Sequence, residues 1–217
     1  MLSQRVPAIT SNEPFERIDD FAICPIDQFP WAQNDFRPES EARIAYTPGK
    51  ALYLQLSSNE GAFQALRTDC DHHNGQVHLD SCLEFFVDFA PQQTEGYLNF
   101  EFNPKGFLHL KLGQSRRDRQ AQDPHTYGRF HITTDLDVNP EGKAELGWWR
   151  IRFVIPEDFV KALYGPKAAL VEGHRFNGNF YKCGDATEFE HYALWSPTAA
   201  ETPDFHRPEY FGEFILD

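Results

Sequence analysis

A carboxylate in the middle of an apolar strand is the first residue in this sequence whose position asks for a chemical reason. In Glu84-Phe-Phe-Val-Asp-Phe89, period-two alternation puts Phe85, Val87 and Phe89 on one face and Glu84, Phe86 and Asp88 on the other. An acid so placed accepts hydrogen bonds from hydroxyl groups, pairs with a cation such as Arg150 or Arg152, or is simply solvated. The outward row Tyr97, Asn99, Glu101 and Asn103 serves either as a polar platform beside it or as the wet side of an antiparallel sheet. Lys182 offers a donor. Trp195, followed by Ser196-Pro197, is an aromatic plate in a loop or a cap on the core. A plate with a few fixed donors and acceptors suits a sugar ring, which has a C–H face and a hydroxyl rim.

Asp69-Cys70-Asp71-His72-His73 is the candidate metal segment. Asp69 and Asp71 suit a hard cation such as calcium, while Cys70, His72 and His73 suit zinc or copper. Adjacent histidines diverge along an extended chain, and an exposed polar loop is the alternative. Paired carboxylates about 5 to 10 Å apart hydrolyse glycosides. Glu84 with Asp88, Glu101 or Asp185 would qualify, but nothing in the sequence selects a pair, and no nucleophile elbow, HExxH, P-loop or dinucleotide fingerprint is present. The single methionine, Met1, leaves no Met–His pair for haem ligation.

These residues need strands to position them. Leu52, Leu54 and Leu56 form one inward row; Leu98, Phe100 and Phe102 form another. Pro104-Lys-Gly106 then turns the chain into Leu108, Leu110 and Leu112, a hairpin. Trp149, Ile151, Phe153 and Ile155 line a further inward face, with Trp148, Arg150 and Arg152 opposite. Pro156 starts one short helix, Glu157 to Leu163, which Gly165-Pro166 stops. Residues 1–45 read as an irregular N-terminal wrap and Gln114 to Gly128, with Arg116-Arg117-Asp118-Arg119, as a long mobile, solvated loop. The expected fold is all-β: one antiparallel two-sheet β-sandwich of the jelly-roll or immunoglobulin-like kind, spanning 1–217.

Asp80-Ser-Cys-Leu-Glu-Phe-Phe-Val-Asp88, Asn179-Phe-Tyr-Lys-Cys-Gly-Asp185 and Trp195-Ser-Pro, followed by Asp204-Phe-His-Arg-Pro-Glu-Tyr-Phe-Gly212, resemble in that order the family 9 carbohydrate-binding modules, and more closely a stand-alone family-9-like branch. The resemblance implies a sandwich that binds sugars, often at a chain end, between two stacked tryptophans, with structural calcium nearby. It implies that Glu84 hydrogen-bonds sugar hydroxyls and Trp195 stacks, with Asn177 and Asp185 near the polar lining. The second tryptophan has no counterpart in Asp69 to His78, and a family arginine has none in Tyr97 to Asn103.

The expected function is non-catalytic binding of a saccharide end in glycan degradation, through Glu84, Trp195, Asn177, Asp185, Lys182, Glu101 and Asn99, with calcium as the one candidate cofactor. A sandwich interaction domain without a sugar site, docking through Trp148 or Phe205 to Phe214, and a glycoside hydrolase remain open. The net charge of −13 disfavours nucleic acid, which needs clustered cations. No run reaches the length of a membrane span. Four cysteines without metal spacing and no visible signal peptide point to a reducing, cytoplasmic setting, or to an exported one if a leader has been removed.

Overall fold

The computed structural model describes residues 2–11, 13–61, 66–93 and 96–217. Among these residues, thirteen strands build two sheets. The larger contains β1 (Ser3–Val6), β5 (Cys82–Asp88), β6 (Tyr97–Phe102), β7 (Leu108–Ser115), β8 (Asp118–Ala121), β11 (Arg175–Cys183), β12 (Tyr192–Leu194) and β13 (Gly212–Leu216). Its order is β1-β13-β11-β5-β6-β7-β8, with β12 also paired to β11. The smaller sheet, in the order β2-β3-β4-β10-β9, contains β2 (Cys24–Pro25), β3 (Glu39–Thr47), β4 (Ala51–Asn59), β9 (Thr133–Val138) and β10 (Ala144–Pro156). Pairing is antiparallel except between β1 and β13.

The inward rows meet between the sheets as their alternation dictates. Phe100 and Phe102 of β6 pack on Phe153 of β10 at 5.6 and 4.6 Å between ring centroids. A second apolar layer covers the other face of the larger sheet. There Phe86, Tyr97 and Tyr181 lie beneath Phe205 and Phe211 of the C-terminal segment. The centre of β5 is therefore buried on both sides, and a polar side chain in it must either find partners or open onto a cavity.

Three sequence expectations change. The N-terminal wrap contains β1, a helical turn at Pro14–Arg17 (α1), β2 and most of β3. A short helix is thus added to the expected one, which is found as Glu157–Tyr164 (α2). The stretch read as a mobile loop closes β7 against β8 and continues as a 3-10 helix, Pro124–Phe130, with Tyr127 and Phe130 in the core. Trp148, offered as a docking aromatic, is 5% exposed, with too little surface for a partner. No helix among the described residues is long and apolar enough to cross a membrane.

Candidate functional site

Strand register sets out the site in two transverse rows. Tyr181 of β11, Glu84 of β5, Glu101 of β6 and His109 of β7 are successive cross-strand partners. One step along lie Asn179, Phe86, Asn99 and Lys111. Because partners share a face, both rows point to the outer side of the larger sheet. The segment Asn74–His78 walls this face on one side and Pro203–His206 on the other, leaving a cavity of about 510 Å³. That volume falls within the range of small-molecule sites.

Glu84, Glu101 and Asp185 line the cavity together with Lys111, Arg116, Arg119, His78, His109 and His206. Glu84 is 2% exposed. One of its oxygens accepts a bond from the Cys183 thiol at 3.2 Å; the other, Oε2, has no partner. Glu101 Oε1 accepts from Asn99 Nδ2 at 2.6 Å and lies 3.9 Å from Arg119 Nη1. Buried polar atoms normally find partners. Four atoms in or directly behind this cavity have no hydrogen-bond partner: Glu84 Oε2, Asn99 Oδ1, Arg119 Nη1 and Asp185 Oδ1. Three are acceptors and one is a donor, in a space walled by protein.

Burial raises the pKa of Glu84 well above the ordinary carboxylate range, and the facing Glu101 adds to it. Burial likewise raises Glu101 and Asp185. In the same cavity burial pushes His109 down to about 4 and His206 to about 2, helped by Lys111 and Arg119 respectively. His206 is thus a neutral ring at physiological pH. It packs on Phe86 at 5.0 Å, and its Nδ1 shares a hydrogen bond with the Tyr97 hydroxyl.

Glu84 and Glu101 hold their protons more tightly folded than unfolded. Their contribution to stability is therefore complete below the unfolded value of about 4.3 and is lost as pH rises through the raised folded values. The buried histidines titrate in the opposite sense, so the informative quantity is a difference between variants. The melting midpoint of Glu84→Gln minus that of the wild type, measured in chelator, is expected to grow from pH 4 to pH 8. A difference that shrinks over this range contradicts the assignment.

Three residues singled out in the sequence, Trp195, Lys182 and Asn177, lie elsewhere. Trp195 is 5% exposed and belongs to the main core. Its ring packs on Phe214 and Phe180 at 5.0 and 6.1 Å, and a Cβ added to Gly212 would strike its six-membered ring. No face of the indole is left for a ligand to stack on. Gly212→Ala is expected to lower the melting midpoint by several degrees, since overpacking costs about 1–3 kcal/mol. A thermal melt checks this, and an unchanged midpoint would mean that the backbone yields.

Lys182 is one residue out of phase with Tyr181, so it faces the opposite side of the sheet. It is fully buried, 3.1 Å from Glu60 Oε1, and it donates to the Cys183 carbonyl and meets His191 Nε2 at 2.8 and 2.9 Å. Glu60 also accepts from Trp149 Nε1 and Ser81 Oγ. This is a satisfied internal network, and Lys182 has no route to the cavity. Asn177, opposite Asp88 and Glu213, lies further along β11 and outside the cavity. Asn99 is a supporting residue that holds Glu101 from behind.

The Asp69-to-His73 segment does not gather its side chains round an ion. Asp69 pairs with Arg67 at 2.9 Å and Asp71 with His72 at 3.1 Å. His73 accepts the Leu108 amide and packs on Phe107 and Tyr127. Asp80 organises the loop, accepting the amides of Asp69 and Cys70 and the side chain of Asn103. These partnerships do not fit the calcium site that the sequence suggested at Asp69 and Asp71. Arg150 and Arg152, offered as partners for Glu84, belong to the other sheet, where they engage Asp135 and Gln55.

Arg119, Lys111, His109 and His206 escaped the sequence reading. The alternation of β7 could have flagged His109 and Lys111. Nothing local flags Arg119, which depends on the β7–β8 pairing, or His206, which depends on the C-terminal segment folding back.

The family model described as carbohydrate-binding family 9 matches residues 14–216. Among solved structures, a candidate carbohydrate-binding protein from Bacteroides uniformis superposes with a TM-score of 0.79 at 27% identity, covering 100% of this chain and 99% of that one. A family 9 module from Caldicellulosiruptor kristjanssonii, solved with cellotriose, aligns at TM-score 0.63 and 14% identity over 99% of this chain and 93% of that one. Its glucose complex gives 0.62 and 13%, over 99% and 95%. At those two identities the likeness is one of fold. No curated protein matches the sequence.

Proposed function

The chain belongs to carbohydrate-binding family 9, and from that premise we propose that the cavity over β5, β6 and β7 binds a sugar or the end of an oligosaccharide without transforming it. The observation that carries this reading is the set of unpartnered buried atoms on residues that line the cavity, Glu84 Oε2, Asp185 Oδ1 and Arg119 Nη1. Each hydroxyl of a sugar both donates and accepts, so one ring satisfies carboxylate acceptors and an arginine donor together. Leaving such groups unpaired costs about 1–3 kcal/mol each, and a hydroxyl-rich ligand relieves that cost.

In this reading Glu84 and Asp185 accept from sugar hydroxyls and Arg119 donates. Glu101 is oriented by Asn99 and Arg119. The aromatic contact comes from the cavity wall, where Tyr192, Phe205 and the neutral ring of His206 stand, and not from Trp195. The walls at Asn74–His78 and Pro203–His206 favour a chain end over the middle of a chain. Glucose and cellotriose, found in the two C. kristjanssonii complexes, are the ligands to try first.

Isothermal titration with glucose and with cellotriose tests the proposal. Saturable binding between about micromolar and millimolar is expected. No heat from either sugar, nor from a wider panel of hexoses, would leave an interaction domain as the better account.

A further inference from the structure

Directly beneath the cavity floor, β5 and β11 bring two cysteines face to face. Cys82 and Cys183 are cross-strand partners, both buried and both free thiols. Their sulfurs approach the same carboxylate oxygen: Cys183 Sγ is 3.2 Å and Cys82 Sγ 3.7 Å from Glu84 Oε1. One ligand atom from each of the three lies within 4.8 Å of the other two, the one such group of His, Cys, Asp and Glu side chains among the described residues. The second oxygen of Glu84, Oε2, is buried without a partner.

We propose that Cys82, Cys183 and Glu84 form a site for a thiophilic divalent cation of the zinc class, with its fourth coordination position open to the cavity. Zinc binds thiolate sulfur at about 2.3 Å and carboxylate oxygen at about 2.0–2.2 Å in a tetrahedron, so neighbouring ligand atoms stand about 3.5–3.8 Å apart. The two sulfur–oxygen separations are already close to that spacing. Two sulfurs select against calcium and magnesium, which prefer all-oxygen sites. Entry is available because Cys183 and Glu84 line the cavity, and the open position faces that space. On binding, the two thiols give up their protons to solvent and the cation replaces the thiol–carboxylate hydrogen bonds. The site stands on its own geometry and does not depend on whether the cavity binds sugar.

Cobalt(II) titration of the reduced, full-length protein tests this, because cobalt reports thiolate ligation by charge-transfer absorption. One equivalent is expected to give that band together with the visible spectrum of a tetrahedral site. The band should survive Cys70→Ser and disappear in Cys82→Ser and in Cys183→Ser. No thiolate band in the wild type overturns the proposal. So does a band that survives both of those substitutions but is lost in Cys70→Ser, which would place the ion in the Asp69–His73 loop. If the buried cysteine variants fail to fold, the cadmium-113 resonance of the wild-type protein decides. A shift in the two-thiolate range supports the site, and one in the oxygen–nitrogen or single-thiolate range refutes it. Sugar titrations are read separately, so either result can stand without the other.

Discussion

Lys182→Ala is expected to lower the free energy of unfolding by about 3–5 kcal/mol, a large part of what a single domain possesses. Lys182 has no exposed surface and Glu60 is 2% exposed. Removing the ammonium leaves the Glu60 carboxylate in the core with bonds from Trp149 and Ser81 but no cation. It also strips His191 Nε2 of its partner. With Lys182 in place, burial and the neighbouring ammonium hold His191 down to about 3, so its ring is neutral; in the variant burial still opposes its taking over the charge. Removing both charges at once, as in Glu60→Gln with Lys182→Met, should recover much of the loss, because a buried pair is costly mainly when broken. Urea unfolding of the two variants checks this. A loss below about 1 kcal/mol for Lys182→Ala would mean that water reaches Glu60. Sugar affinity of whatever fraction remains folded should be unaltered, since the network faces away from the cavity.

Glu84→Gln is expected to do the reverse: affinity falls and stability rises. A hydrogen bond to a charged acceptor contributes about 1.5–3 kcal/mol, so loss of the carboxylate should weaken sugar binding at least tenfold, about 1.4 kcal/mol. At pH 8 the melting midpoint should rise by a few degrees, because a buried charge facing Glu101 has been removed while the shape is kept. Glu101→Gln should move both quantities in the same directions. Trp195→Phe should leave affinity unchanged and cost stability. Calorimetric titration and thermal melts on the same samples separate these outcomes. If Glu84→Gln lost stability and kept its affinity, Glu84 would be a structural residue and the site would lie elsewhere.

The fold was legible wherever one face of a strand is apolar and the other polar. Leu98, Phe100 and Phe102 announced β6, and the β6–β7 hairpin follows from the turn at Pro104 to Gly106. β3 went unread although Ala42, Ile44 and Tyr46 alternate with Glu41 and Arg43, because a row that opens on alanine gives a weak apolar signal; on the opposite face Arg43 pairs with Glu41 and Asp19. At the site, Glu84 and Glu101 could be seen because alternation alone aims them outward. Lys182 could not be judged in the same way. Its neighbour Tyr181 pairs with Glu84 while Lys182 pairs with Leu83, and a register one residue different would have exchanged their faces. Trp195 stands before a Ser-Pro dipeptide as a loop residue would, yet Gly212, seventeen positions on, provides the flat surface that buries it. Cys82 and Cys183 are far apart in sequence and share no metal-ligand spacing, so only strand pairing brings them together.

The most direct measurement is a crystal structure of the protein soaked with glucose or cellotriose. Sugar density between Glu84, Asp185 and Arg119, beneath His206 and with hydroxyls at hydrogen-bond distance from Glu84 Oε2, is the result expected. Ordered sugar elsewhere on the molecule, with this cavity holding none, would contradict the account.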